Sequence, residues 1–346
     1  GTCGGCQQQH IAYHRQISLK QEILTDTLHR IGKLDVTLAE PLADEQPWAY
    51  RHRAQLKSHG GLLGFYRAGS RDIVDVVECP VLCEGIGSAL KNVRAVLNRN
   101  AHIASALSDI HLVSNNITAA ALCRVRIGSD LSLAHFDRFR AEAKLAGLIV
   151  QSGHHEIGRL GEPVVVFSLL GLQYAAPADA FFQGHWRLNE RVVAAVRTAL
   201  QPLAGKRILD LYAGAGNFSL PLAAAGAEVI AVEEHEGAVA SGLDNRARNG
   251  IDPVRFIQSP LEHYVPDAPI DAIILDPPRP GLANCVTETV LRTDAQRIVY
   301  VSCNPSTFAR DLRKLAAAYR IIEARLIDFF PQTYHLEAMA VLEKRQ

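Results

Sequence analysis

The sequence predicts an α/β protein: a doubly wound, mostly parallel sheet in the C-terminal half, preceded by a mixed α+β region. Three observations lead to this fold class. After residue 186, short apolar runs alternate with amphipathic helical patterns, as in sheets whose parallel strands are connected by helices. Glycine and polar residues follow several of these runs, at the edge where open α/β sheets bind ligands. The preceding region lacks this alternation and begins with a cysteine-containing segment.

The composition indicates a folded globular protein of two or three domains. Its 346 residues are 48% hydrophobic and only 21% charged. The net charge is zero, so a nucleic-acid partner would need a local basic patch. No apolar run is long enough for a membrane span, and we recognise no signal peptide. Seven cysteines without a secretory signal favour a reducing compartment and metal-binding or catalytic roles. We therefore expect a cytoplasmic protein without a membrane partner.

Three segments are expected along the chain. Residues 1–40 contain a cysteine motif and an amphipathic helix, 41–180 form a central domain, and 181–346 form the domain with the parallel sheet. The helix is predicted over 17–31, with one apolar face made of Ile17, Leu24, Leu28 and Ile31.

Hydrophobic periodicity places the other elements. Helices are predicted near 89–97, 135–145 and 188–200. Strands of the central segment are predicted over 119–125, 147–152 and 164–174. Strands of the last segment are predicted over 207–212, 227–233, 254–258, 272–276, 297–302, 321–329 and 338–342.

The first strand of the C-terminal half leads into the sequence DLYAGAGNF, a glycine-containing turn. Gly214 and Gly216 allow a tight turn and close approach of the backbone to a ligand at the next helix. Ser219 stands where a dinucleotide fingerprint has its third glycine. Glu233 ends the following strand, where a carboxylate can accept both ribose hydroxyls. The pattern predicts a nucleoside-containing cofactor without identifying it.

Two later strands end in residues whose side chains can take part in a reaction. Asp276 precedes two prolines that fix its carboxylate at the sheet edge, and Cys303 follows the apolar run 298–301. Taken alone, Cys303 is more simply explained as a buried structural thiol. Beside a methyl-donating cofactor, however, a thiolate suits methylation at carbon, because its addition to C6 of uracil makes C5 nucleophilic. Removal of the C5 proton needs a base, and Glu337 is the candidate, unless it is an ordinary surface glutamate.

Two other groups of residues predict binding sites. Cys3 and Cys6 lie in a glycine turn, with Cys79 and Cys83 as further candidates; zinc, an iron–sulfur cluster, a redox pair and free thiols all stay open. Between residues 50 and 71, aromatic residues are interleaved with five basic residues and no acidic one. The five are Arg51, Arg53, Lys57, Arg67 and Arg71. This mixture suits an RNA backbone and its bases, and a solvated face of an edge sheet explains it equally well.

Together these motifs resemble the RNA uracil-C5 methyltransferase family, most of all its branch that modifies 23S ribosomal RNA and carries an iron–sulfur cluster. The resemblance covers nearly the whole chain, in CGGCQQQH, YRHRAQL, GFYRAGSRDIVDVVECP, FFQ, DLYAGAGNFSLPLA, DPPRPG, IVYVSCNPSTFARD and FPQTYHLE. It implies a class I methyltransferase fold for the last segment and an RNA-binding and cluster domain in the centre. It also implies S-adenosylmethionine as cofactor and RNA as partner, with 23S rRNA favoured over tRNA. We expect a monomer.

The resemblance also assigns roles to individual residues. It implies that Cys303 is the nucleophile and Glu337 the base. It implies that Gln183, Tyr212, Asn217, Glu233 and Asp276 bind the cofactor or orient the uracil and that Phe181 stacks on the target base. The glycine turn adds Gly214 and Gly216 as cofactor-binding residues, and the basic stretch adds Arg51 and Arg53 as RNA contacts. Three of four ligands of a [4Fe–4S] cluster are matched by Cys3, Cys6 and Cys79. We also expect the helix N-terminus near Pro305 to favour the Cys303 thiolate.

The sequence departs from the family pattern at several points. The fourth cluster cysteine normally lies just before the first match; a truncated N-terminus, Cys83 as a substitute, and absence of the cluster stay open. His185 stands where the family commonly has Asn, and Ser259-Pro260 where a polar residue often meets the adenine.

Three alternative functions remain at this point. A methyltransferase for the tRNA T-loop uridine is disfavoured by the Cys3–Cys6 pair. A catalytically inactive RNA-binding protein would keep the basic stretch but have no use for Cys303 and Glu337. A nicotinamide oxidoreductase is disfavoured by Ser219 and by the proline-rich segment after Asp276.

Overall fold

The structure, a computed structural model, describes residues 2–126, 128 and 131–346, which form two compact units. The first unit takes the described part of Gly1–His10, Gln46–Phe167 and Tyr174–Trp186, and the second takes Ile11–Glu45, Ser168–Gln173 and Arg187–Gln346. This division differs from the three predicted segments, because the N-terminal helix belongs to the second unit. The roles predicted for those segments stay predictions. None of the described helices combines the length and apolar character of a membrane span.

The elements of the described residues are as follows. The helices are α1 (Tyr13–Thr27), α2 (Glu84–Arg99), α3 (Ala101–Ala106), α4 (Leu133–Glu142), α5 (Trp186–Ala199), α6 (Ser219–Ala224), α7 (Glu236–Arg248), α8 (Asn284–Arg292) and α9 (Pro305–Leu315). The strands of the first half are β1 (Arg53–His59), β2 (Leu62–Tyr66), β3 (Ile73–Asp75), β4 (Leu107–Ser114), β5 (Ala119–Val125), β6 (Gly147–Ser152), β7 (His155–Gly161), β8 (Val164–Leu169) and β9 (Leu172–Pro177). Those of the second half are β10 (Arg207–Leu211), β11 (Glu228–Glu233), β12 (Val254–Gln258), β13 (Ala272–Leu275), β14 (Arg297–Ser302), β15 (Tyr319–Ile327) and β16 (Glu337–Lys344).

The first unit is a mixed α+β structure, as predicted. Its described strands form a sheet in the order β3-β2-β1-β4-β5-β6-β7, antiparallel except for the β5–β6 pair. One core cluster joins strand residues such as Leu56 and Ile110 to helix residues such as Ile86 and Phe136. A second cluster buries Leu122 and its neighbours with residues of the β8–β9 hairpin. Helices therefore cover the sheet in the first cluster, and the β8–β9 hairpin covers it in the second.

The second unit contains the mostly parallel sheet that the sequence predicts. Its strand order is β12-β11-β10-β13-β14-β16-β15. All neighbours from β12 to β14 are parallel, whereas β16 runs antiparallel to both β14 and β15. The inward residues are nearly all apolar and fully buried, as expected of strands covered on both faces. The last strand thus enters the sheet from the opposite end.

Two predictions about the central region are wrong in detail. The run 164–174 is not one strand but the hairpin β8–β9, which turns at Leu170 and Gly171, both with positive φ (50° and 83°). Strands β4 and β7 were not predicted at all. β4 is almost completely buried, so it lacks the alternation by which half-buried strands are recognised.

The prediction for the N-terminal helix is partly wrong. Leu24 and Leu28 are buried as expected, but Ile31 is 42% exposed. The helix instead begins at Tyr13, and it buries Gln16 and Lys20 completely. The apolar pattern misses this face because the two side chains are polar and are buried against distant hydrogen-bond partners, Gln332 for Gln16 and Asp328 for Lys20.

A buried carboxylate holds the proline-rich segment after β13 against helix α9. Asp311 accepts hydrogen bonds from the Leu282 amide and the Tyr300 hydroxyl, each at 2.8 Å, and from Arg310 at 2.9 Å. Gly281 has a φ of 75°, and a Cβ there would lie 2.4 Å from Asp311 Oδ2. The segment 276–281 is therefore fixed from both sides, by its prolines and by this carboxylate.

Candidate active site

The structure brings Cys303 and Glu337 together at the carboxyl end of β14. In the antiparallel pair β14–β16, Ser302 is opposite Ala338, so the next position along each strand end is occupied by Cys303 and Glu337. Glu337 is 7% exposed, and Cys303 is half-buried. A thiol with partial access therefore stands beside a carboxyl that is almost closed off from water.

The turn after β14 is fixed by several hydrogen bonds. Asn304 caps helix α9 by accepting from the Ser306 amide at 3.0 Å, and Pro305 occupies the first turn, as the sequence predicts for a helix start. The side-chain amide of Asn304 and the hydroxyl of Thr307 both donate to the Arg279 carbonyl at 3.1 Å. The cysteine turn and the proline-rich segment are thus joined directly.

Electrostatics at this sheet edge favour protonated forms. Burial, reinforced by the charges of Asp276 and Asp328 and opposed by Arg279, raises the pKa of Glu337 to about 8. Burial also raises the pKa of Asp276 to about 7. For Cys303, burial and then Glu337 and Asp276 raise the pKa, which only Arg279 and a backbone hydrogen bond lower.

The expectation that the helix N-terminus favours the Cys303 thiolate stays a prediction. Burial and two nearby carboxyl groups act against it, because they raise the pKa of the thiol. These effects favour the protonated thiol of Cys303 and, at neutral pH, the protonated carboxyl of Glu337.

The turn after β10 has the conformation expected for close approach of a ligand. Tyr212, Gly214 and Gly216 all have positive φ, at 65°, 55° and 85°. The Gly214 amide donates to Glu233 Oε2 at 3.0 Å, and the His235 amide donates to Oε1 at 2.8 Å. A Cβ added to Gly214 would meet no atom within 4 Å, so the space beside this turn is open.

Two buried contacts under this turn were not predicted. Ser219 donates to Asp210 Oδ2 at 2.5 Å, and burial raises the pKa of Asp210 to about 7. Asn217, a predicted cofactor ligand, exchanges amide hydrogen bonds of 2.8 and 3.1 Å with Asn189, which is fully buried on α5. The sequence contains a signal for the first contact, because Asp210 interrupts an apolar run. It contains no signal that Asn189 is buried.

The predicted RNA contacts lie in the first unit. Phe181 is 75% exposed, and the Arg53 guanidinium lies 5.7 Å from its ring centre. Arg51 Nε donates to the Arg53 carbonyl at 3.1 Å, so both arginines are held at the start of β1. Gln183 is half-buried nearby in sequence. An exposed ring beside a cation is available for stacking in this unit.

His185, where the family commonly has Asn, is buried in the first unit. It stacks on Tyr50 with ring centres 4.6 Å apart, and its backbone pairs with Arg51. This position therefore has a packing role in this chain.

The predicted cluster ligands are the thiols of Cys3, Cys6 and Cys79, which influence one another's pKa. Burial raises the pKa of Cys6, and the proximity of Cys79 and Cys3 raises it further. Among the described residues, however, no group of three or more His, Cys, Asp or Glu side chains is arranged to hold a metal ion. Cys83 is completely buried in the helix–sheet core, with its thiol 3.9 Å from the Ser114 carbonyl. Its packing argues against a role as the fourth ligand.

The fold and the site define an α/β methyltransferase, and comparison with known proteins identifies the family. The model of the tRNA (uracil-5-)-methyltransferase family matches residues 170–266 and 264–345. A 23S rRNA (uracil(1939)-C(5))-methyltransferase of Pseudomonas fluorescens is 36% identical over 100% of this chain and 77% of its own length. The corresponding protein of Salmonella choleraesuis is 35% identical over 99% of this chain and 80% of its own.

A solved structure shares the fold. The tRNA (uracil-54, C5)-methyltransferase of Pyrococcus abyssi, in complex with S-adenosyl-L-homocysteine, superposes with a TM-score of 0.82 at 24% identity, covering 99% of this chain and 86% of that one. The chain belongs to the RNA uracil-C5 methyltransferase family, and the predicted family and class of enzyme are confirmed. The roles of single residues stay predictions.

The raised pKa of Glu337 predicts how stability depends on pH. A glutamate in an unfolded chain has a pKa of about 4.3, whereas that of Glu337 is about 8. Between these values the unfolded state has lost the proton that the folded state keeps, so this residue makes stability fall as pH rises. The side chain in Glu337→Gln cannot ionise. The free energy of unfolding of this variant, relative to that of the unmodified protein, should therefore increase by on the order of 1–3 kcal/mol from pH 5 to pH 9. Urea unfolding at both pH values measures this.

Glu343→Gln, on the same strand, is the control. Hydrogen bonds from Arg320 and Arg297 lower the pKa of Glu343, so it is ionised throughout this window and its substitution should add no pH dependence. Equal pH dependence of Glu337→Gln and the unmodified protein would show that Glu337 ionises normally.

Proposed function

We propose that this chain methylates C5 of a uridine in 23S rRNA, with S-adenosylmethionine as methyl donor. The observation that carries the proposal is the adjacency of Cys303 and Glu337 on the antiparallel pair β14–β16. Uracil C5 is a poor nucleophile, so its methylation needs a group that adds to C6 and a base that removes the C5 proton. A thiol and a buried carboxyl side by side supply both.

The proposed mechanism assigns one task to each residue. The Cys303 thiol loses its proton to solvent and the sulfur adds as the thiolate to C6, which makes C5 nucleophilic. Once C5 carries the methyl group, Glu337 removes the remaining C5 proton; the C5–C6 double bond re-forms and the thiolate leaves. Asp276, fixed by its prolines at the same edge, orients the uracil. The raised pKa of Glu337 suits a base that works near neutral pH.

The turn after β10 fits S-adenosylmethionine. This group, when bound, supplies an electrophilic methyl. The open space beside Gly214 and the carboxylate of Glu233 at the next strand end suit a nucleoside, as in other α/β sheets. Tyr212, Gly216 and Asn217 lie in the same turn, and Gln183 is a further proposed ligand of the cofactor. Phe181, Arg51 and Arg53 would contact the RNA, whose target base must be displayed outside a helix.

The choice of 23S rRNA rests on relatives that cover nearly the whole chain and are named as 23S rRNA (uracil(1939)-C(5))-methyltransferases. A tRNA uridine is the second candidate, supported by the name of the family model and of the Pyrococcus abyssi enzyme. A monomeric state, a cytoplasmic location and a doubly wound arrangement of the helices are further proposals.

The nucleophile is tested with RNA fragments that contain 5-fluorouridine, one from 23S rRNA and one from the tRNA T-loop. Fluorine cannot leave as a proton does, so the protein with S-adenosylmethionine should form an adduct with the 23S fragment that survives denaturation. Cys303→Ala should abolish it, and Cys285→Ala should not. An adduct that persists in Cys303→Ala refutes the nucleophile, and one formed faster with the tRNA fragment favours the second candidate.

The base is tested with uridine RNA. Glu337→Gln should accumulate the methylated covalent intermediate, because the C5 proton is not removed, and its turnover should fall by about 10²-fold or more. In the unmodified enzyme, kcat/KM should rise with pH through about 8, as Glu337 loses its proton. Denaturing electrophoresis and rate measurements follow both. Normal turnover by Glu337→Gln would exclude the base assignment.

The iron–sulfur cluster is proposed for Cys3, Cys6 and Cys79. The resemblance of the segment supports it, as does the influence of these thiols on one another's pKa. Protein purified without oxygen should contain iron and acid-labile sulfide, which Cys79→Ala should lose and Cys123→Ala, buried in the sheet core, should retain. Iron-free protein of native stability would refute the cluster.

A further inference from the structure

One face of helix α1 is polar, and two of its residues are completely buried. Tyr13, Gln16 and Lys20 are spaced three and four residues apart and so lie on one side of the helix. Gln16 and Lys20 have no exposed surface. A buried lysine is costly unless it is paired, so this face must meet a specific partner.

The partner is Asp328, which directly follows β15. Lys20 Nζ donates to Asp328 Oδ1 at 2.6 Å and to the Phe330 carbonyl at 3.1 Å. The Tyr13 hydroxyl donates to Asp328 Oδ2 at 2.9 Å. Burial lowers the pKa of Lys20 and raises that of Asp328, and each group offsets the effect on the other. Loss of either one leaves a buried group without its charge partner.

A second contact fixes the backbone a few residues later. Gln332 is a buried non-glycine residue with a φ of 69°. Its amide N–H donates to Gln16 Oε1 and Gln16 Nε2 donates to its side-chain oxygen, each at 3.0 Å. A left-handed conformation costs about 1 kcal/mol or more, and such paired hydrogen bonds are what hold a residue in it.

These contacts fall on the connection that carries the proposed base. In the antiparallel pair β15–β16, Ile327 is opposite Glu337, so Asp328 and Glu337 flank the two ends of the connection 328–336. The Asp328 amide also donates to the Leu42 carbonyl at 2.9 Å. The groups that face Glu337 are Asp276 and Arg279 after β13, Cys303 after β14 and Asp328 after β15. Lys20 is the cation that compensates the last of these.

We propose that Lys20 and Gln16 are positioning residues that hold the connection 328–336 so that Glu337 can remove the C5 proton. The inference rests on the proposed function, because it assigns them to the base step and not to the addition of Cys303. Helix α1 contacts the connection at Asp328, Phe330 and Gln332. The base step therefore depends on a segment some 300 residues away in sequence.

The test compares two rates in Lys20→Met. Methylation of uridine RNA needs the base, whereas adduct formation with 5-fluorouridine RNA stops before proton removal. Turnover should fall by about 10- to 100-fold, as misplacement of a catalytic group does. The rate of adduct formation should stay within about twofold of that of the unmodified protein. The uncompensated charge of Asp328 should also move the kcat/KM rise to higher pH.

Two further variants complete the design. Lys20→Met/Asp328→Asn removes both charges of the pair; it should fold even where Lys20→Met does not, and should return the pH dependence towards normal. Arg15→Met breaks an exposed ion pair with Glu22 on another face of the same helix and should change neither rate.

Equal loss of both rates in the double variant, or normal turnover in Lys20→Met, would overturn the positioning role. Absence of any adduct in the unmodified protein would reject the proposed function itself, and this inference with it. The two failures are therefore distinguishable.

Discussion

The antiparallel insertion of β16 between β14 and β15 is the constraint on which the site depends. If β16 ran parallel to β14, its first residue would lie at the opposite edge of the sheet. Because it is reversed, the start of β16 meets the end of β14, and Glu337 lies next to Cys303. The same reversal pairs Glu337 with the end of β15. The adjacency of the thiol and the carboxyl therefore depends on the direction of β16 as well as on the two side chains.

The sheet edge is also where burial and charge oppose each other. Three carboxyl groups near it, on Asp210, Asp276 and Glu337, have pKa values raised by burial. A protein tolerates such groups where their function requires them, since each lowers stability once it ionises. Arg279, exposed on the proline-rich segment, is the cation that lowers the pKa of both Glu337 and Cys303.

Much of this arrangement could be predicted from the sequence, for a physical reason. Strands of a buried parallel sheet are continuous apolar runs, and the residue after each run lies at the ligand-binding edge, so Asp276, Cys303 and Glu233 could be located by counting. The polar face of α1 could not, because the partners of Lys20 and Gln16 lie more than 300 residues later, and burial of a lysine has no local signal. Strand β4 escaped prediction because it is buried throughout and lacks alternation. The raised pKa of Cys303 could not be predicted either, because it results from burial and from two carboxyl groups that only the fold brings near the thiol.

The carboxylate of Asp311 has a consequence for how this sequence can vary. It binds the backbone after Gly281, the hydroxyl of Tyr300 and the neighbouring Arg310, and there is no room for a side chain at position 281. The segments DPPRPG and FARD should therefore vary together although they are separated in sequence. A hybrid whose two segments come from different relatives would lose these hydrogen bonds wherever its residues 281 and 311 do not match. Junctions placed between these two segments should accordingly be poorly tolerated in recombination between distant members of the family.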